Sequence, residues 1–199
     1  MNTNSSVVAS SGALIAISEK SESGPLVNIT SIDSELTISI PLDPRSSERI
    51  EDSIINSGTY LDFQNSTIVD LVMDSNWLVA TVDVGPYNRT VLVDTLSINQ
   101  TLISNPRWDS SSPSIGDGRV AFLQVTRDDI LSSASSSQRN NDVYVHELES
   151  GETKQYTFDE EISQTQPQIL LERLAWIEIN DDGEKELQLF SFTDTIEPR

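Results

Sequence analysis

An internal echo constrains this chain more than any other feature. The segment Ser112-Pro113-Ser114-Ile115-Gly116-Asp117-Gly118-Arg119-Val120-Ala121-Phe122 returns as Gln166-Pro167-Gln168-Ile169-Leu170-Leu171-Glu172-Arg173-Leu174-Ala175-Trp176, with Pro, Ile, Arg and Ala all displaced by 54 positions. A repeat fixes the architecture before any single motif is weighed, because each unit must bury its apolar face against a neighbour of similar design. Weaker copies of the same apolar core stand upstream at Gly12-Ala13-Leu14-Ile15-Ala16-Ile17 and Asn76-Trp77-Leu78-Val79-Ala80-Thr81-Val82. Taking Ala16, Ala80, Ala121 and Ala175 as anchors, the spacings are 64, 41 and 54 residues. Spacing that uneven excludes stacked helical units of constant length and fits small sheets joined by variable loops.

Each anchor lies in a short apolar run after a turn-like stretch, and a second run with period-2 alternation follows, as in Asp142-Val143-Tyr144-Val145-His146. Val143 and Val145 then share one strand face while Tyr144 and His146 share the other. A third run closes most copies after a polar turn, for example Thr153-Lys154-Gln155-Tyr156-Thr157 after Ser150-Gly151. Counting the run before each anchor, every copy reads as a four-stranded antiparallel meander. Helical periodicity is sustained nowhere, and the one short helix expected falls over residues 45–55. The expectation is an all-β, β-propeller-like array of about four antiparallel four-stranded blades, with copies over residues 6–42, 65–104, 111–158 and 164–196 forming a single array over 1–199.

The pattern from Pro113 to Phe122, with Asn141-Asp142-Val143-Tyr144-Val145 and Glu149-Ser150-Gly151-Glu152-Thr153, resembles the β-propeller repeats of the TolB type, relatives of the broader WD-type repeats. The stretch from Pro167 to Trp176 with Glu186-Leu187-Gln188-Leu189-Phe190 is similar, and the first two copies match only in their apolar cores. The resemblance implies a scaffold that presents loops to partners. Propellers have about 4 to 8 blades, so four copies form either a small closed ring or an arc of a larger one. The arc is preferred, because little sequence follows Phe192 to supply an outer strand.

Composition narrows the function classes. Lys and Arg number 12 against 32 Asp and Glu, for a formal net charge of −20. Binding to a nucleic-acid backbone needs clustered cations, so nucleic acid is excluded as partner. A surface this acidic is best tolerated where salt screens self-repulsion, which suggests a halophilic or marine microbial source. There is no apolar stretch long enough to span a bilayer, so no membrane insertion is expected. The absence of Cys removes disulfide scaffolding, thiolate zinc sites and thiol catalysis. Acceptor sequons at Asn4, Asn28, Asn65, Asn88 and Asn99 fit a cell-envelope or extracellular location, although a cytoplasmic one is compatible with the rest.

No constellation of residues carries catalysis. His146 is the only histidine, and no Gly-x-Ser-x-Gly elbow holds a nucleophile for it, so it reads as a sheet-surface residue. The acidic run over residues 180–185 reads as a hairpin turn around Asp182-Gly183 rather than as a calcium loop. No catalytic residue, metal ligand or cofactor site is therefore assigned.

Binding candidates are Arg107 and Trp108, in the connection between the second and third copies, and Arg127 and Arg139, which bracket a serine-rich stretch. Arg and Trp are the side chains most enriched at interface hot spots, and loops on rigid scaffolds commonly carry function. The expected function is a non-catalytic interaction scaffold for a protein or glycan partner. The alternative is an accessory propeller of a serine peptidase whose catalytic domain lies outside this chain, since similar repeats accompany that hydrolase domain.

Overall fold

The computed structural model describes residues 6–22, 24–34, 36–42, 66–85, 87–106, 108–125, 140–158 and 162–193. All regular structure among them is β, and the helix expected over residues 45–55 lies outside them. The chain divides into two compact units, Met1–Pro106 and Arg107–Arg199.

The first unit holds two meanders. One sheet runs β1(Val8–Ser11), β2(Leu14–Ser21), β3(Gly24–Ser31), β4(Thr37–Pro41), and the next runs β5(Thr67–Asp74), β6(Trp77–Asp83), β7(Asn88–Asp94), β8(Asn99–Leu102). The second unit holds a third sheet, β9(Ser110–Gly116), β10(Arg119–Val125), β11(Asn141–Glu147), β12(Thr153–Gln155), and a fourth, β13(Ser163–Leu170), β14(Arg173–Ile179), β15(Lys185–Ser191). The fourth sheet departs from the four-stranded expectation, with three strands among the described residues.

Tight reversals open the second strand of each sheet. Gly12, Ser75, Asp117, Gly118 and Leu171 all have positive φ there, and in Asp117-Gly118 both central residues do, as a type I′ hairpin requires. The residue after the third strand then bonds back to this reversal: Ile32 N–H to Ala13 O, Thr95 to Asn76, Leu148 to Gly118 and Phe192 to Glu172, at 2.8 to 2.9 Å.

Those four bonds set the structural alignment of the copies. Leu14, Trp77, Arg119 and Arg173 are equivalent, and so are Ala16, Val79, Ala121 and Ala175. The anchor expected at Ala80 is thus one residue out of phase. Because strand side chains alternate, that single step moves Ala80 to the opposite face, into the place held by Ile17, Phe122 and Trp176 in the other sheets.

Within each unit, the alanine face of one sheet packs on the opposite face of the next. Ala16, Val27, Ile29 and Ile40 meet Leu71, Leu78, Ala80 and Val91 in the first unit. In the second, Ala121, Leu123, Val143 and Val145 meet Ile169 and Leu174, with Tyr156, Trp176, Phe190 and Phe192 packed around them. Small residues let the backbones approach. A Cβ on Gly116 would stand 3.2 Å from the Ile169 carbonyl oxygen, and Ser114 Oγ accepts the Ile169 N–H at 3.0 Å. The first unit uses the same device, with Ser11 Oγ accepting the Ser75 N–H at 2.9 Å.

The echo of 54 residues has a backbone cause as well. Ser112 and Gln166, each just before a proline, both have φ near 52°, and the ladder shifts register beside each of them. Proline donates no hydrogen bond, so it is accommodated at a bulge, where the ladder skips a bond.

Candidate functional site

Four hairpins join the second and third strands of the sheets, and one differs from the rest. The flanking pairs are Ser21 with Gly24, Asp83 with Asn88, and Ile179 with Lys185, whereas Val125 pairs with Asn141. Residues 126–140 therefore separate the two members of one paired position in the sequence. Arg127 and Arg139 belong to this segment and lie outside the described residues, as does Arg107. Trp108 is described and half-buried. Its neighbour Asp109 accepts the Val125 N–H at 3.0 Å, which sets Trp108 beside the root of the segment.

The strand ends at this root are held by a buried polar network. Gln124 pairs with Asp142 across the ladder. The Asp142 carboxylate accepts the Thr157 hydroxyl at 3.1 Å on one oxygen and Gln155 Nε2 at 3.0 Å on the other. Thr157 Oγ1 also accepts the Val143 N–H at 2.8 Å. Gln155 donates a second bond to the Thr157 carbonyl at 2.7 Å and accepts the Tyr144 hydroxyl at 3.0 Å. Asp142 is 5% exposed and Thr157 7%. Few buried carboxylates survive without such partners. The Tyr144 hydroxyl is pushed up to about 12 by burial and then by the charge of Asp142, so it stays a proton donor across the physiological range.

His146 shares the Tyr144 face, as the alternation predicts, but that face is buried rather than solvated. Its Nδ1 lies 2.8 Å from Thr153 Oγ1, and burial holds its pKa below the ordinary histidine value despite the opposing pull of Glu147. At the other end of β10, Arg119 bonds Glu147 at 2.9 Å and Asp117 at 3.1 Å, and its guanidinium lies 4.2 Å over the Phe192 ring. The turn over residues 180–184 closes as a hairpin, with Gly183 at φ 79° and Asn180 Oδ1 accepting the Glu184 N–H at 2.9 Å. Among the described residues, no three metal-ligating side chains converge.

Sequence reasoning missed the partners of Asp142, because Gln155 and Thr157 meet it across the sheet rather than at a diagnostic spacing. Arg89 was missed too. It is 2% exposed, donates from Nη2 to the Pro106 carbonyl at 3.1 Å, and has no partner for Nε or Nη1 among the described residues; burial lowers its pKa. Arg89 is the middle residue of the Asn88 sequon. In that sequon Thr90 is fully buried, whereas Asn99 is exposed, and Asn28 Oδ1 accepts Ser39 Oγ at 2.7 Å. Asn4 and Asn65 lie outside the described residues.

No family model and no curated protein matches the sequence. Solved structures do match. A puromycin-hydrolyzing peptidase from Mycobacterium tuberculosis superposes with a TM-score of 0.59 at 12% identity, over 98% of this chain and 28% of that one. An oligogalacturonate lyase from Vibrio parahaemolyticus gives 0.50 at 8%, over 89% of this chain and 49% of that one. The fold is of the β-propeller type. TolB from Acinetobacter baumannii gives 0.46 at 10% identity, over 92% of this chain and 42% of that one, a likeness too low to carry an argument. The chain spans half or less of the length of each of these structures, and identities this small speak to fold alone.

Proposed function

We propose that this chain is a non-catalytic interaction scaffold, a single propeller-like repeat array of TolB-like design that presents the segment over residues 126–140, with Trp108 at its root, to a protein or glycan at a microbial cell surface. The observation that carries this reading is the contrast between the length of that connection and the buried, hydrogen-bonded strand ends on either side of it. A loop anchored on a preorganised base loses less entropy on binding than one on a loose base. Arg127, Arg139 and Arg107 supply planar cations suited to carboxylates, and Trp108 supplies an apolar ring suited to a sugar face or an aromatic side chain. The acidic remainder of the molecule, 32 acids against 12 cations, repels other polyanions and favours a saline exterior.

The test is binding of the 199-residue chain to an array of microbial surface polysaccharides and to a displayed peptide library. It is run beside the variant carrying Trp108→Ala, Arg127→Ala and Arg139→Ala. Saturable binding that the variant loses supports the reading; binding that the variant retains in full removes this site.

A second reading is favoured by the likeness to the mycobacterial peptidase, of which this chain covers 28%. On that reading the chain is the accessory propeller of a serine peptidase with its catalytic domain elsewhere. A fluorophosphonate probe applied to native cells separates the two. Labelling of the polypeptide recognised by an antibody to this chain establishes the peptidase reading, and absence of label on that polypeptide rejects it.

A further inference from the structure

Both units bury an alanine face against the opposite face of the following sheet, yet among the described residues one further face of each kind carries exposed apolar side chains. On the alanine face of the fourth sheet, Leu170 is 74%, Leu187 63% and Leu189 62% exposed, around half-buried Ala175, Ile177 and Ile179. On the opposite face of the first sheet, Val8 is 57%, Ile17 36% and Ile32 58% exposed. Exposed apolar faces of this kind mark interaction surfaces. We infer that these two faces bind one another between copies of this chain, head to tail. The inference concerns self-association and stands apart from the partner-binding role proposed above.

Three complementarities at equivalent or adjacent positions favour a second copy as the occupant. In the second unit Gly116 yields space to Ile169. On the open faces the sizes are exchanged: Leu170 stands at the Gly116 position and exposed Ser10 at the Ile169 position, so the large residue again meets a small one. Arg119 lies over Phe192, and the same two positions are held on the open faces by Arg173 and Ile32, an apolar cover for a planar guanidinium. Lys185, at the far end of the fourth sheet's alanine face, lies one residue from the level of Glu19 on the first sheet's opposite face, and the charges are opposite. In a chain with 32 acids and 12 cations, two cations framing one apolar face are a selective feature.

The test is sedimentation velocity of the 199-residue chain from about 1 to about 300 µM in high salt, where self-repulsion is screened. The wild type is expected to associate with rising concentration. Leu189→Glu on one face and Ile17→Glu on the other should each weaken association by about a hundredfold or more. An equimolar mixture of the two variants should form pairs, because each retains the face that the other has lost. If either variant loses its β circular-dichroism signal, Leu187→Glu and Ile32→Glu replace them at exposed positions of the same faces. A wild type that stays a single chain at the highest concentration overturns the inference. So does a mixture that fails to pair, or an Ile17→Glu variant that associates like the wild type, which would mean that the fourth sheet pairs with itself.

Discussion

Removing the Asp142 carboxylate is the sharpest test of the idea that the long segment stands on a fixed base. Asp142→Ala takes away the acceptor for the Thr157 hydroxyl at 3.1 Å and for one of the two Gln155 Nε2 bonds, at 3.0 Å. Gln155 keeps its bond to the Thr157 carbonyl, so one donor is stranded and another is reduced. Bonds to a charged group contribute about 1.5 to 3 kcal/mol each, and the loss is offset by no longer burying a charge, which leaves a net cost of about 3 kcal/mol. Thr157→Val strands the Val143 N–H and removes the donor to Asp142, for a similar cost of about 3 kcal/mol. The Asp142–Thr157 bond is counted in both single variants, so the double variant should fall short of their sum by about 1 to 2 kcal/mol. The assay is urea unfolding at constant high salt, followed by Trp176 fluorescence in a background where Trp77 and Trp108 are Phe. That reporter lies in the same unit as the network, so the signal reads that unit alone. Additivity within about 0.5 kcal/mol, or a cost for Asp142→Ala below about 1 kcal/mol, would refute the claim that this network fixes the strand ends.

Four further outcomes follow from the geometry. Gly116→Ala should cost about 1 to 2 kcal/mol by thermal melting, because the 3.2 Å clash is with a backbone oxygen that cannot rotate away; Gly12→Ala, which meets open space, should cost only its positive-φ strain of about 1 kcal/mol. Arg119→Lys should lose about 1 kcal/mol that added salt does not restore, since the ammonium forfeits the stacking over Phe192. Tyr144 holds its proton to about 12 when folded against 10.0 when unfolded, so its contribution is intact below pH 10 and is lost as pH rises through the folded value, up to about 3 kcal/mol; alkaline urea titrations should show that loss in the wild type and a flatter profile in Tyr144→Phe. For His146 the sign is reversed: burial lowers its folded pKa, the unfolded chain takes up the proton first as pH falls below 6.5, and the urea midpoint should drop there in the wild type but not in His146→Gln.

The fold was legible where alternation was clean. Val143 and Val145 against Tyr144 and His146 were separable by period alone, and the structure puts the valines into the core with Leu174. The bulged prolines were visible as an echo, because in both copies the bulge places Pro after a positive-φ residue and so leaves a mark in sequence. The binding candidates were less accessible: of the four, the structure describes only Trp108, and its position beside Val125 depends on a backbone bond that no residue type announces. The Asp142 network was equally hidden, since Thr157 and Gln155 reach it through the pairing of β11 with β12.

The misplaced anchor at Ala80 shows what the sequence does encode instead. From Leu78 to Val82 every residue of β6 is buried, Thr81 included, so no exposed position sets the phase; β7, β10 and β11 share that buried interior, and of these β11 keeps a period-2 pattern in its alternating valines. The second strands of the first and fourth sheets, β2 and β14, carry exposed or half-buried residues within the strand. A strand covered on one side must keep polar or half-exposed residues on the other, while a strand buried on both is released from that constraint and can carry apolar residues on either face. Loss of alternation therefore blurs register but reports double burial. By the same logic the leucines of β15, alternating yet apolar on the exposed side, contradict a face meant for water. That contradiction is what a concealed interface predicts, and it is why the fourth sheet, rather than any loop, is the place to look for a second copy.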